Sequence, residues 1–492
     1  MLTVAVGTMV DSARMSRRER DLLSTPSRFM QPRLILYVMT FGLVALGLLM
    51  IYSSSSVTAM AVSELDYNAA YYLQRQLIFG AIGLAAAAIV AVSDYHLWVR
   101  FLLPAVWIAT IVLLGLVLTS SAGLDAYGAT RWISIGGFNL QPSEFAKITV
   151  ILTAANVAQR YYEDFSISFS TFTYLMVIGV GLPLGLIILQ PDKGTTIICA
   201  ATLYVMGYLA GMSRRALAVA AGIGAIAVLI LAFKDDYSRA RVLTVFNPWK
   251  DPYGDGYQLI QGFYAFGSGG LFGVGIGLSR QKYSYLPMAH NDFIFAVIGE
   301  ELGLAGTLGM LLAFAALAWA GLQIARYAPD LSGRLVAAGC TVMIVIQLLV
   351  NICGVLGMIP LTGKPVPFVS YGGSSIISCL LLVGFIASVS RHSSLPDTVF
   401  DERRRDWSLS TDDDWADGPS FVGEAMPRSA RGFTVVGGGL RDTTPDGSRA
   451  SQRALRSHEG RVSVDSSGRR RIDLGPSASD RLRSARGSGR RG

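Results

Sequence analysis

Charged side chains are scarce in this chain. They make up 15% of its 492 residues, well below the share expected of a soluble protein, and they crowd into the two ends. Cysteine is rarer still. Cys199, Cys340, Cys353 and Cys379 lie inside apolar runs with no CxxC pair, so they read as small core residues and not as a disulfide framework or metal cluster. His96, His290, His392 and His458 form no HxxxH or HExxH pattern, and no protein-built zinc site is expected. The chain has no GxSxG elbow, no GxxxxGK[ST] loop and no repeat at a solenoid period. These absences exclude an ordinary cytosolic enzyme, a collagen-like fibre and a small disulfide scaffold. What is abundant is apolar surface: 52% hydrophobic residues and a mean hydropathy of +0.45.

Apolar runs of about 17–25 residues are candidate transmembrane helices. Ten are present, at 34–54, 76–93, 101–119, 144–160, 173–190, 195–211, 216–233, 293–325, 335–357 and 373–390. The fold class expected is therefore an all-α polytopic membrane protein with ten transmembrane helices. The eighth run is long enough to add a half-buried segment to its span. Pro104 and Pro183 sit inside the third and fifth runs and should kink them, which packed neighbours tolerate. The first run is too long for a signal-peptide core and reads as a retained span.

The net charge of +8 invites a nucleic-acid reading. No aromatic-interleaved basic module supports it, so no nucleic-acid partner is expected, and the cations instead map a topology. With a cytoplasmic N-terminus, 31 of the 42 Lys and Arg fall inside, as the positive-inside bias requires. All six lysines, Lys147, Lys193, Lys234, Lys250, Lys282 and Lys364, fall outside. This divides the chain into a cytoplasmic N-terminal segment (1–33), a membrane domain (34–391) with long outer loops at 120–143, 234–292 and 357–375, and a cytoplasmic tail (392–492). The tail is poor in aliphatics and rich in Ser, Gly, Asp and Arg, and should be disordered. Its acidic first part and basic second part are either a solvated tail or a contact with inner-leaflet lipid or an acidic partner.

The outer loops carry the chemistry. In the first, Pro142 suits the first turn of a helix, and Glu144 and Lys147 at i, i+3 share a face at the membrane boundary. They form either a capped helix start with a snorkelling lysine or part of a cationic cradle for a phosphate-bearing headgroup. In the 234–292 loop, Gly267-Ser268-Gly269-Gly270 with Gly273, Gly275 and Gly277 could approach a phosphate but reads better as close backbone packing. Arg239, Arg241, Arg280 and Lys282 add cations there. Asp292 stands where the chain enters an apolar run, a costly place for an acid and so a functional candidate; helix N-capping is the alternative. Glu300 and Glu301 do not share its face and should satisfy polar groups inside the bundle. Between 357 and 375, three prolines and four glycines rule out a regular span. A broken or re-entrant segment must be buried in protein or line a polar cavity.

Together, Gly128-Ala129-Thr130-Arg131-Trp132-Ile133, Gln141-Pro142-Ser143-Glu144 with Lys147, Gln190-Pro191-Asp192 with Gly194-Thr195, the segment from His290 to Phe295, Glu300-Glu301 with Gly303, and Asn351 through Ser375 resemble the SEDS family, the shape, elongation, division and sporulation proteins of bacteria. The resemblance runs from about residue 33 to 391 and does not cover the tails. It implies ten transmembrane helices and a peptidoglycan glycosyltransferase that polymerises lipid II on the outer face of the cytoplasmic membrane. It also implies a complex with a class B penicillin-binding protein, the transpeptidase, and other divisome proteins. Asp251-Pro252-Tyr253 to Tyr257-Gln258 and the long tail resemble the division branch more than the elongation branch, with the sporulation branch also open. Asn291 stands where Thr is common in the family, and Lys364 where an aliphatic residue is usual.

Carried over by motif, Asp292 is the catalytic candidate, a general base for the acceptor hydroxyl. Arg131, Trp132, Gln141, Ser143, Glu144, Lys147, Asp192, Arg241, Lys282, His290 and Ser374 are the substrate-binding candidates. The cations, with a divalent cation such as Mg or Mn as a further option, would stabilise the departing pyrophosphate; no cofactor is expected to be built into the chain. Two other classes compete: a transporter or flippase for the same lipid, since broken helices also suit transport, and a non-catalytic division scaffold.

Overall fold

The computed structural model describes residues 27–61, 67–119, 123–126, 129–135, 138–283, 285–393, 462–464 and 470–472. A chain this apolar must satisfy its own backbone, and helices are the solution open to it in lipid. They are α1 (Ser27–Ala61), α2 (Tyr71–Val92), α3 (Leu97–Thr119), α4 (Pro142–Tyr162), α5 (Phe169–Leu189), α6 (Lys193–Leu209), α7 (Arg214–Phe233), α8 (Asp236–Phe246), α9 (Tyr257–Gly269), α10 (Ile294–Arg326), α11 (Leu331–Val355) and α12 (Gly373–His392). Among the described residues, eight helices are long and apolar enough to cross a membrane: α1, α2, α3, α5, α7, α10, α11 and α12. The runs expected at 144–160 and 195–211 also lie on helices, α4 and α6. α4 carries Glu144, Lys147 and Gln159 on buried positions, so protein and not lipid receives its polar groups.

The core sits where α11 and α12 meet α4, α6 and α2. α12 crosses α2 so closely that a Cβ on Gly384 would lie 2.8 Å from the Ala87 carbonyl oxygen, the small-residue packing that membrane helices favour. α7 is the opposite case: of its side chains only Leu217 is buried.

Irregular helix precedes each of Pro104 and Pro183, where bends are expected. A π-helical turn spans Leu97–Leu102 in α3 and another Val177–Gly181 in α5. Each widens the helix ahead of the ring that would clash with the preceding turn.

Two of the long outer segments hold regular structure, and the capping alternative for Asp292 is excluded. The segment expected as the 120–143 loop contains a three-stranded antiparallel meander, β1 (Gly123–Ala126), β2 (Ala129–Ile135) and β3 (Phe138–Leu140), with Leu124 opposite Trp132 and Ile133 opposite Leu140. The segment expected as the 234–292 loop holds α8, a 3-10 turn at Pro248–Lys250, and α9. Asp292 does not cap α10: the helix starts at Ile294, its cap residue is Phe293, and no side chain closes its first turn.

α10 is broken at Gly303, whose φ of 67° and ψ of −162° leave the helix. Residues after α9 fill the gap. Val274 and Gly275 N–H donate to the Glu300 and Glu301 carbonyls, and Leu304 and Ala305 N–H donate to the Gly270 and Leu271 carbonyls, all at 2.9–3.0 Å. The glycine run is thus backbone packing, and a Cβ on Gly303 would fall 2.3 Å from the Gly273 nitrogen. Glu300 accepts from Ser279 Oγ at 2.5 Å and from Arg280 N–H, while Glu301 accepts from Ser53 Oγ at 2.7 Å. Both glutamates serve the bundle interior.

The N-terminal residues 1–26 and nearly all of the tail expected to be disordered lie outside the described residues. Within the tail, β4 (Val462–Val464) pairs antiparallel with β5 (Arg470–Ile472).

Candidate active site

Four pieces of backbone meet at one end of the bundle: the start of α4, the start of α6, the turn before α10, and the irregular segment 356–372 between α11 and α12. Proline at its first turn starts α4 at Pro142. Asp192 caps α6, its Oδ1 accepting from Thr195 N–H at 3.2 Å. Its carboxylate is fully enclosed. Lys364 Nζ lies 2.8 Å from Oδ1 and 2.9 Å from Oδ2, and Ser143 Oγ, Gln141 Nε2 and Thr195 Oγ1 donate to Oδ2 at 2.8, 3.0 and 2.9 Å. Burial alone would raise its pKa; Lys364, with help from Arg131 and Ser143, outweighs burial and holds the carboxyl well below the usual range. Ser374, at the head of α12, accepts from Gln141 N–H at 2.9 Å and joins this cluster.

Glu144 and Lys147 form a second buried pair. Lys147 Nζ donates to Glu144 Oε2 at 2.8 Å and to Gln347 Oε1 at 2.6 Å. Gln347 in turn donates to the Pro365 carbonyl at 3.0 Å. One turn further along α11, Asn351 Nδ2 donates to the carbonyls of both Lys364 and Asp292 at 2.7 Å. Both acceptors are carbonyls, so the amide orientation is fixed chemically.

Asp292 lies at this end, in the turn before α10. Burial pushes its carboxyl up to about 6, against the opposing pull of a backbone hydrogen bond and the Arg241 charge. Arg241 also donates to the Leu361 carbonyl, so it ties α8 to the broken segment beside Asp292. Gly363 passes under the acid: a Cβ there would meet Asp292 Oδ2 at 3.8 Å. A carboxyl poised near 6 is ionised at neutral pH and basic enough to take a proton.

His290 is buried between Tyr72 and Tyr371, ring centroids 4.5 and 5.7 Å away, and burial lowers its pKa to about 4. It is a neutral ring at pH 7 and adds no cation. Arg131 donates to the Pro191 carbonyl at 2.7 Å, and its Nε is buried without a partner. Trp132 lies beside it on β2. Lys282 is not brought to Asp292. Its ammonium lies 3.6 Å from Glu301 and donates to the Gly277 carbonyl, at the break in α10. Lys147, enclosed by Glu144 and Gln347, is likewise closed to a phosphate in this arrangement. Of the cations expected to form the cradle, Arg131 keeps a donor in hand.

A resident divalent cation does not fit these donors. Both Asp192 oxygens are taken by Lys364 and neutral donors. Among the described residues no three His, Cys, Asp or Glu side chains gather where a metal could be held.

Sequence reasoning missed Gln347 and Asn351 as site residues and left Lys364 without a role. A signal existed: two amides at i, i+4 in an apolar helix have to meet polar partners inside the bundle.

The profile of the FtsW/RodA/SpoVE family, described as cell cycle proteins, matches residues 33–395. The chain is 39% identical over 371 residues to a probable peptidoglycan glycosyltransferase FtsW of Trichlorobacter lovleyi, covering 75% of this chain and 96% of that one. It is 40% identical over 366 residues to stage V sporulation protein E of Bacillus subtilis, covering 74% and 98%. Among solved structures, it matches a chain of a peptidoglycan synthase complex that coordinates polymerization and crosslinking, at TM-score 0.57 and 29% identity over 72% of this chain and 96% of that chain. It also matches the rod shape determining protein RodA of Thermus thermophilus, at TM-score 0.53 and 27% identity over 73% and 97%. The chain therefore belongs to the FtsW/RodA/SpoVE family of cell cycle proteins, the SEDS family that its motifs resemble.

Proposed function

We propose that the protein is a peptidoglycan glycosyltransferase that polymerises lipid II into glycan strands for septal wall synthesis. The observation that carries the reading is Asp292: an acid raised to about 6, flanked by Arg241 and set over Gly363, at the end of the bundle where the motifs converge. The names of the relatives point the same way. The acceptor sugar's 4-hydroxyl attacks the anomeric carbon of the donor, Asp292 takes the hydroxyl proton, and the lipid-linked pyrophosphate leaves with the glycosidic electron pair. Arg131, half-buried where Lys147 is enclosed, meets the phosphate charge.

In this reading α4 and α6 join the eight apolar helices to make ten spans. Both termini are cytoplasmic, and Asp292 faces the outside at the division septum. The partner is a class B penicillin-binding protein, whose transpeptidase crosslinks the strands, within the divisome.

Purified full-length protein given lipid II in detergent, with and without the transpeptidase, tests the proposal. Polymer that disappears in Asp292→Asn supports it. Lipid movement across vesicles without polymer would favour the transport reading, and neither activity would favour a scaffold.

A further inference from the structure

Lys364 is held at three points. Its ammonium lies between the two oxygens of Asp192, at 2.8 and 2.9 Å. Its stem runs over Gly194, where an added Cβ would stand 3.0 Å from both Cγ and Cε; a larger residue at that first turn of α6 would push the lysine out. Its carbonyl accepts from Asn351 Nδ2, the nitrogen that also donates to the Asp292 carbonyl. The residue before it, Gly363, is the backbone that passes under the Asp292 carboxylate.

The segment from 360 to 366 has neither helix nor strand. Without a ladder of its own, its depth in the bundle is set by side chains that grip it. Arg241 holds Leu361, Asn351 holds Lys364 and Gln347 holds Pro365, each through a carbonyl. Lys364 is the one of these that grips from within the segment, and it does so with a charge that is 4% exposed, on a carboxylate that is 1% exposed. A buried pair of this kind is costly to open from one side, because the remaining charge is left without a partner.

We infer that Lys364 is a positioning residue for Asp292: its ion pair with Asp192 fixes the depth of the broken segment, and that segment, with Asn351, fixes the carboxylate over Gly363. The inference rests on the reading of Asp292 as the base. A displacement of about 1 Å at a reacting group can cost on the order of 10²-fold in rate, so the effect belongs in turnover and not in lipid II binding.

The test uses the full-length protein and three variants: Lys364→Met, Lys364→Arg, and Lys364→Met combined with Asp192→Asn, which removes both charges and leaves none unpaired. Two quantities are read: kcat and KM for polymerisation, and the pH midpoint of Asp292 labelling by a hydrophobic carbodiimide, followed by mass spectrometry. Lys364→Met should lose about 10-fold or more in kcat with KM changed by less than about threefold, and its labelling midpoint should move as the carboxylate leaves its seat over Gly363. Lys364→Arg should recover most of the kcat. The double variant should fold and stay slow. Wild-type kcat and labelling midpoint in folded Lys364→Met, or in the double variant if the single one does not fold, overturn the inference, as does a loss confined to KM. If the wild type makes no polymer yet the midpoint still moves with Lys364→Met, the positioning stands and the glycosyltransferase reading falls.

Discussion

Lys147 and Glu144, one turn apart at the head of α4, form an ion pair of 2.8 Å with each side chain 1% exposed. The pair is a structural element first. Lys147→Met leaves Glu144 buried and uncompensated, which should cost about 3–5 kcal/mol. Lys147→Met with Glu144→Gln should recover most of that. Thermal unfolding in detergent reads both. Equal stability of the single and double variants would mean that the pair contributes nothing to the fold.

Arg131 behaves differently, because its main-chain bond to Pro191 leaves Nε free of partners. Arg131→Gln should leave the melting temperature within a few degrees and raise the KM for lipid II by roughly 10-fold, the worth of one charge-assisted hydrogen bond. An unchanged KM would remove Arg131 from the phosphate site.

Asp292→Asn keeps the side chain's shape and removes its proton chemistry. Polymerisation should fall by roughly 10²-fold or more, while membrane insertion and transpeptidase binding stay intact. Because α10 is capped at Phe293, the substitution disturbs no helix start. Near-normal polymer from well-folded variant protein would leave the reaction without its base.

The same carboxyl sets a pH dependence with two signs. Its pKa is about 6 folded, against 3.8 for the ordinary group. Below 6 it is protonated and cannot act as base, so the rate should fall as pH drops through about 6. Over the window from 6 down to 3.8 the folded protein holds a proton that the unfolded chain does not, so this group stabilises the fold as pH falls. Asp192 does the reverse. Its lowered pKa contributes stability that is present above 3.8 and lost as acid protonates it. A rate profile with no acid limb near 6 in folded protein would contradict the assignment.

The site was partly legible in the sequence. Gln141-Pro142-Ser143-Glu144 announces a helix start, and Pro142 does begin α4. Asp292 stood out because acids are expensive at the edge of an apolar run. Its N-cap alternative failed because the chain makes one more turn, through Phe293, before the helix begins. Lys364 could not be read. Its partner Asp192 is 172 positions away, and nothing in periodicity encodes a pairing at that range. The β1–β3 meander was missed because its strands are three to seven residues long and sit between long apolar runs that dominate the pattern. α8 and α9, at 11 and 13 residues, are too short for the span criterion and sit in a segment whose glycines and prolines read as loop.

Topology has its own check. Tyr253 is 91% exposed in the turn between α8 and α9, while Cys199, Cys340 and Cys379 are buried. Tyr253→Cys in intact spheroplasts should react with a membrane-impermeant thiol reagent. Labelling only after lysis would invert the orientation proposed here.

The splice at Gly303 bears on how the chain enters the membrane. The carbonyls of Glu300 and Glu301 and the N–H groups of Leu304 and Ala305 are satisfied by residues 270–275 and not by α10 itself. Until the two stretches meet, these four backbone groups have no partner, and inside a bilayer each is worth several kcal/mol. The glycine run precedes α10 in the chain, so its N–H and C=O groups gain these partners only once residues 300–305 have been made. Neither stretch satisfies its backbone alone, so the break at Gly303 and the glycine run stand or fall together.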